Sequence, residues 1–261
     1  MKSQHHIVRW IAGTIPGIIL LFLLSACNSE NAPDCIQATG DILSEELDVS
    51  AFDQVEVYEN IRLVVRYGEI QKVELQTGAS LRQEVTARVV NGVLQLRDGN
   101  DCNYFRAYGT TVFTVTSPDL RSIRSSTGFP VESQGVLPYE SLSLLSESFN
   151  NPEAETTDGS FDLELDVGEL SIVSNGLAYF SLRGEAEVFR VTIAAGDSRV
   201  EAQELLASQV QLNHRGSNDI LVHPVNILSG TLRGTGNALI YNRPGTVDVE
   251  QLFTGKLVYM D

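Results

Sequence analysis

The sequence predicts an all-β protein whose second half is a β-solenoid with coils of about 20 residues. Three observations predict it. From Phe52 onward, short β-branched and apolar runs alternate with Gly, Asn and Asp turns, and nothing keeps helical periodicity over three turns. Ile123, Leu144, Ile172, Ile193, Leu212 and Leu232 recur in similar triplets at intervals of 21, 28, 21, 19 and 20 positions. Gly176, Gly216 and Gly236 each stand four residues behind their ladder residue, which marks one repeated corner.

In chain order, the first element is an export segment. Lys2 and Arg9 form a basic head, and Ile11 to Leu24 form an apolar core of 14 residues. That suits a signal peptide better than a membrane-spanning helix, which needs about 20 apolar residues. The run Leu24-Ser25-Ala26-Cys27 resembles the bacterial lipoprotein signal, in which the cysteine is acylated and becomes the first mature residue. Residues 1–26 are therefore expected to be removed and Cys27 to carry the lipid. The other reading is an uncleaved anchor helix starting near Ile7. Asn28 stands where an inner-membrane retention signal has aspartate, so the expected location is the outer membrane.

Removing residues 1–26 takes away two basic and no acidic side chains, so the formal charge of −16 becomes −18. A body this acidic does not bind nucleic acid through phosphates and is repelled by anionic headgroups. Its expected hold on the membrane is the acyl chains, each buried methylene contributing about 0.8 kcal/mol. Of three cysteines, setting Cys27 aside leaves Cys35 and Cys102, an even pair in an oxidising compartment. A bridge closes a loop of 67 residues and contributes roughly 4 kcal/mol in the chain-entropy model. Residues 27–41 read as a tether, and a folded domain is expected over 42–261, with an N-terminal part at 42–119 and regular coils at 120–261.

The clearest strands of the N-terminal part are Val55 to Val57, Ile61 to Val65, Val73 to Leu75, Val93 to Leu96 and Val112 to Val115. Leu81 to Ala87 suggests one helical turn. In the coils, Phe161-Asp162-Leu163-Glu164-Leu165-Asp166-Val167 alternates strictly, with apolar residues inward. The long interval in the ladder holds Asn150-Asn151-Pro152-Glu153-Ala154-Glu155, a polar insertion suited to a surface loop. An antiparallel sandwich also fits short strands, but gives no reason for a glycine at one fixed offset.

No nucleophile elbow, phosphate loop or dinucleotide fingerprint occurs, and no cofactor is implied. His214, in a turn beside Arg215, and His223 lack partners at zinc-ligand spacing. Asp158, Asp162, Glu164, Asp166 and Glu169 form the densest acidic group. They read as a solvated strand face, with calcium binding or acid–base work on a polysaccharide as the alternatives. Tyr104-Phe105-Arg106-Ala107-Tyr108 is the most aromatic stretch. Its default is packing over one end or seam of the solenoid; the other reading is an exposed carbohydrate platform built on Tyr104, Arg106 and Tyr108.

These residues together resemble the head GIN domain family of autotransporter-adhesin-like proteins, common among Bacteroidetes lipoproteins. The matching segments are Phe52-Asp53-Gln54-Val55-Glu56-Val57, Asn60-Ile61, Val89 to Leu96, Cys102 to Tyr108, Val115 to Leu120, and Arg233 to Tyr241 with Pro244. The resemblance covers about residues 40–260. It implies a right-handed parallel β-helix in the periplasm or on the cell surface, and brings no catalytic residues with it. The chain departs from the family's small-residue turns at Ser126-Thr127-Gly128-Phe129 and His214-Arg215-Gly216-Ser217, where bulkier side chains are expected to alter the presented surface.

Two functions of different class follow. One is a lipid-anchored, non-enzymatic adhesin or binding module that engages an envelope glycan or surface protein. The other is a carbohydrate-active enzyme using outward carboxylates around Asp162 to Asp166, a reading favoured by two acidic groups about 5–10 Å apart in a groove with an aromatic or basic neighbour. An envelope sensor or scaffold is indistinguishable from the first by sequence.

Overall fold

The computed structural model describes residues 35, 37–100, 102–104, 106–150 and 156–260. The export segment, Cys27, most of the tether and residues 151–155 of the polar insertion lie outside the described residues. The fold is all-β, with no α-helix among the described residues. Its strands belong to one seventeen-stranded sheet that wraps around a single interior and comes close to closing.

The long strands β11 (Ser160–Ser174), β12 (Tyr179–Ile193), β13 (Arg199–His214) and β14 (Ile220–Leu232) pair in parallel, each with the next in sequence. They are amphipathic with period two, and a slip of one residue would turn every buried side chain outward. Val131, Phe161, Phe180, Val200, Ile220 and Ala238 therefore lie over one another across successive strands, all fully buried. The Phe161 and Phe180 rings stack with centroids 5.0 Å apart and planes 3° from parallel, close to the spacing between strands.

Before these lie β8 (Ser122–Ser125), β9 (Pro130–Leu137) and β10 (Ser141–Ser146); β8 pairs in parallel with β10 and β9 with β11. After them come β15 (Ala238–Ile240), β16 (Thr246–Gln251) and β17 (Leu257–Tyr259), which continue the parallel pairing. The extra residues of the long interval leave at Ser146 and return at Gly159, whose N–H donates to Ser146 Oγ at 3.1 Å. The loop thus closes at its base without disturbing the pairing of β10 with β11.

The N-terminal part is less uniform. β2 (Gln54–Val57) and β3 (Ile61–Tyr67) extend the parallel stack through β6 (Val93–Asp98) and β7 (Thr111–Ser117). β1 (Ile42–Leu47), β4 (Lys72–Gly78) and β5 (Val85–Val90) instead pair antiparallel: β1 with β4, β4 with β7, and β5 with β6. Asn91 and Gly92 join β5 to β6 with φ of 53° and 81°, the positive pair that a two-residue hairpin needs. The helical reading of residues 81–87 shrinks to one 3-10 turn, Arg82–Glu84, because Val85 already starts a strand.

The repeat is two residues out of register in places. Ile172 pairs with Val191 and Leu212 with Gly230, not with Ile193 and Leu232. Ile193 and Leu232 flank His214 in the neighbouring ladder. Bulges in the pairings of β12 with β13 and of β13 with β14 absorb the unequal repeat lengths. The corner glycines do stack: Asp197 N donates to Gly176 O, Ser217 N to Gly196 O and Gly236 N to Gly216 O, at 2.8 to 3.2 Å. Gly196 belongs to the same column.

His214 is not in a turn; it ends β13 and is fully buried. Its Nδ1 accepts from Gly216 N at 3.4 Å, and a Cβ on Gly236 would come within 2.5 Å of Nε2, so the ring uses the space two glycines leave. Burial holds the imidazole below its ordinary pKa of 6.5, partly offset by the Asn218 backbone and the charge of Asp219. Below pH 6.5 the unfolded chain takes up a proton that the folded ring resists, so this group withdraws stability as pH falls. His214→Leu is expected to reduce the loss in urea midpoint between about pH 7.5 and about pH 5.5. An equal loss in both proteins would show that the ring does not govern this window.

Candidate functional site

The Cys35–Cys102 disulfide is present, with Cα atoms 4.4 Å apart. It ties the end of the lead to the loop between β6 and β7, and Tyr104 N donates to Cys35 O at 3.1 Å beside it. Within the loop, Asn103 Oδ1 accepts from Arg106 N at 2.8 Å, and its Nδ2 donates to Arg106 O at 2.6 Å. Arg106 Nη2 donates to Asn100 O at 2.8 Å.

The loop rests on a buried polar floor. Asp98 accepts from Asn100 N at 3.0 Å, Asn100 Nδ2 at 2.6 Å and Thr111 Oγ1 at 2.6 Å; Thr111 Oγ1 also lies 2.9 Å from Thr77 Oγ1. A void of about 20 Å³ lies between this floor and Arg106, room for about one water molecule. Buried Asn100 Oδ1 has no hydrogen-bond partner among the described residues.

Order in the loop thus comes from the disulfide and the polar floor, and its tyrosine rings are not used as core. Tyr104 is 73% exposed and Tyr108 69%, which overturns the expectation that they pack over an end of the stack. Phe105 lies outside the described residues. The turn at residues 126–129 supports the loop: the half-buried Phe129 ring sits against Gly109, where a Cβ would meet it at 2.8 Å. Of the two bulky turn departures, Phe129 therefore buttresses a loop, while in the second His214 fills the interior and Arg215 is exposed on the surface.

The acidic group faces outward, as the alternation requires. Asp162 pairs with Arg183 at 2.5 Å and Glu169 with Arg190 at 3.0 Å, each arginine coming from the next strand. Among the described residues, no three His, Cys, Asp or Glu side chains converge to hold a metal. Asp166 does share a groove with Glu185 and Glu187, but the other lining residues are apolar or small, with no aromatic or basic neighbour.

Among the described residues, one ion pair has both side chains buried. Arg124 Nη2 lies 2.8 Å from Glu147 Oε1, and Nη1 donates to the Glu147 carbonyl at 2.9 Å. Glu147 Oε2 accepts from Phe149 N at 2.6 Å and Asn150 N at 3.1 Å, so the pair clamps the entry to the polar insertion. Burial pushes the Glu147 carboxyl up, and Arg124 with the Asn150 and Phe149 N–H groups more than reverses it, leaving its pKa below the ordinary value. The pair was not read from the sequence: Arg124 lies in β8 and Glu147 just past β10, and only the parallel pairing of those strands brings them together.

Stacked parallel strands, an antiparallel N-terminal part and a disulfide-fixed loop define an all-β protein that presents an ordered loop at its surface. The chain belongs to the family described as "putative auto-transporter adhesin, head GIN domain", whose model matches residues 51–244. No curated protein matches it. A solved structure described as a putative adhesin from Bacteroides fragilis NCTC 9343 superposes with a TM-score of 0.72 at 16% identity, covering 85% of this chain and 99% of that one. A putative adhesin from Parabacteroides distasonis ATCC 8503 gives 0.62 at 14%, covering 86% and 100%. A protein from the same organism described as a putative lipid-binding protein gives 0.55 at 13%, covering 86% and 99%. At these identities the likeness is one of fold.

Removing the disulfide by Cys35→Ser/Cys102→Ser is expected to lower stability by about 2–4 kcal/mol. It should also open the 99–110 loop to limited proteolysis. Urea denaturation and a protease time course measure both. Unchanged cleavage would show that the polar floor alone orders the loop.

Proposed function

We propose that this protein is a lipid-anchored adhesin or binding module of the cell envelope, presenting an ordered aromatic loop to a glycan or surface protein without catalysing a reaction. Tyr104 and Tyr108, solvent-facing on a loop fixed at its base, are the observation that carries the reading. Exposed tyrosines on an ordered backbone give contact area at little entropic cost, and sugars stack on such rings. Family membership supports an adhesin-like role at the envelope.

The proposal includes cleavage after residue 26, acylation at Cys27, a tether over 27–41 and one domain over 42–261. It places the anchor in the outer membrane. The domain is read as a right-handed parallel β-helix, which in-order parallel pairing and the stacked Phe161 and Phe180 rings support. A wholly non-enzymatic role is supported by the arginine partners of Asp162 and Glu169. No helix among the described residues is long and apolar enough to cross a membrane.

Binding of the full chain to an envelope-glycan array and to surface-protein extracts tests the reading. Tyr104→Ala/Tyr108→Ala is expected to weaken the bound partner about tenfold. Undiminished binding would remove the loop from the interface. Cys27→Ala should abolish metabolic acyl labelling, and retained labelling would refute the anchor.

A further inference from the structure

On the outer face of β11 two carboxylates lie against an arginine of the next strand, Asp162 with Arg183 and Glu169 with Arg190. Between those two pairs Asp166 and Glu185 have no arginine opposite. There Asp166 is the register partner of Glu185, acid beside acid, and Glu187 follows two residues on. All three are exposed, and none forms an ion pair with a described residue. Like charges on directly neighbouring strands are destabilising, so the fold carries a local cost here that nothing inside the molecule offsets.

The same stretch is concave and partly apolar. A groove of about 480 Å³ is lined by residues of all four strands, among them the apolar Val167, Ala186, Leu206 and Val225. Leu206 and Val225 are each 42% exposed. Gly168 and Ser208 also line it. With strands about 4.8 Å apart, four strands span about 14 Å, the length of four to five extended residues.

We propose that this groove is a docking site for an extended, cationic segment of a partner protein, one alternating lysine or arginine with small apolar side chains. Charge complementarity selects the cation: Asp166, Glu185 and Glu187 line the groove with no ion-pair partner among the described residues, and Leu206 lies opposite Glu185 on the next strand. The apolar row beside them selects a peptide over a hydrated metal ion, which has no use for Leu206 and Val225. The inference goes beyond the adhesin reading and depends neither on the lipid anchor nor on the tyrosine loop.

A fluorescein-labelled Lys-Val-Lys-Val-Lys peptide, titrated into the full chain in detergent and followed by anisotropy, tests it. The acidic body attracts any cation weakly, so the readout is the difference between variants. Glu185→Gln/Glu187→Gln is expected to weaken binding at least about tenfold, Leu206→Ser about threefold, and Asp248→Asn, on a distant outer face, not measurably. All are surface positions, and circular dichroism checks the fold. Equal binding by the Glu185→Gln/Glu187→Gln variant overturns the proposal, as does equal binding of a Glu-Val-Glu-Val-Glu peptide. Calcium binding that needs the same carboxylates and displaces the peptide also overturns it, by making the groove a simple cation site.

Discussion

Everything in this molecule depends on like lying over like across parallel strands. A parallel pair about 4.8 Å apart places equivalent side chains of successive repeats in direct contact, so each repeat must supply an apolar group of compatible width at each inward position. The column from Val131 through Phe161, Phe180, Val200 and Ile220 to Ala238 meets that demand, large rings lying beside smaller branched side chains. No single repeat could bury these residues alone. The constraint also explains where length varies: small differences are taken up by bulges within the stack, and a long insertion leaves it. The polar insertion does so between Ser146 and Gly159, clamped by the buried Arg124–Glu147 pair.

The outer surface is a by-product of that interior order. Alternation sends every second residue outward, and parallel register then aligns those residues into rows. Where a row alternates acid and arginine it is electrostatically closed. Where it repeats an acid, as at Asp166 and Glu185, the stack has made a line of unbalanced charge. The tyrosine loop is built differently: it stands between β6 and β7, and its order comes from a covalent bond and a polar floor.

Much of this was legible from the chain. Period-two alternation identified the strands, and the even cysteine pair gave the bridge, since both signals are local or arithmetic. The glycine column at 176, 216 and 236 was visible because close backbone approach admits no side chain. The exact ladder was not. Ile193 matches the apolar pattern as well as Val191 does, and Leu232 better than Gly230; the register is set by the whole length of each strand pair and, between β13 and β14, by its bulges. His214 looked like a turn residue because Arg215 and Gly216 follow it. Its burial depends on Gly216 and Gly236, which make room from the next turns. The antiparallel pairs β1–β4 and β4–β7 left no periodic trace at all.

The bridge between residues 35 and 102 has a mechanical consequence. A covalent bond between them makes the intervening chain, with β1 to β6, a closed loop through which tension need not pass. A pull on the chain ahead of Cys35 is carried by the sulfur–sulfur bond straight to Cys102 and on towards β7. Hydrogen-bonded strands that would peel one at a time under load are therefore outside the load path. A body held against flow by its N-terminal end would feel the drag first at β7, whose neighbours β3 and β4 grip it from both sides.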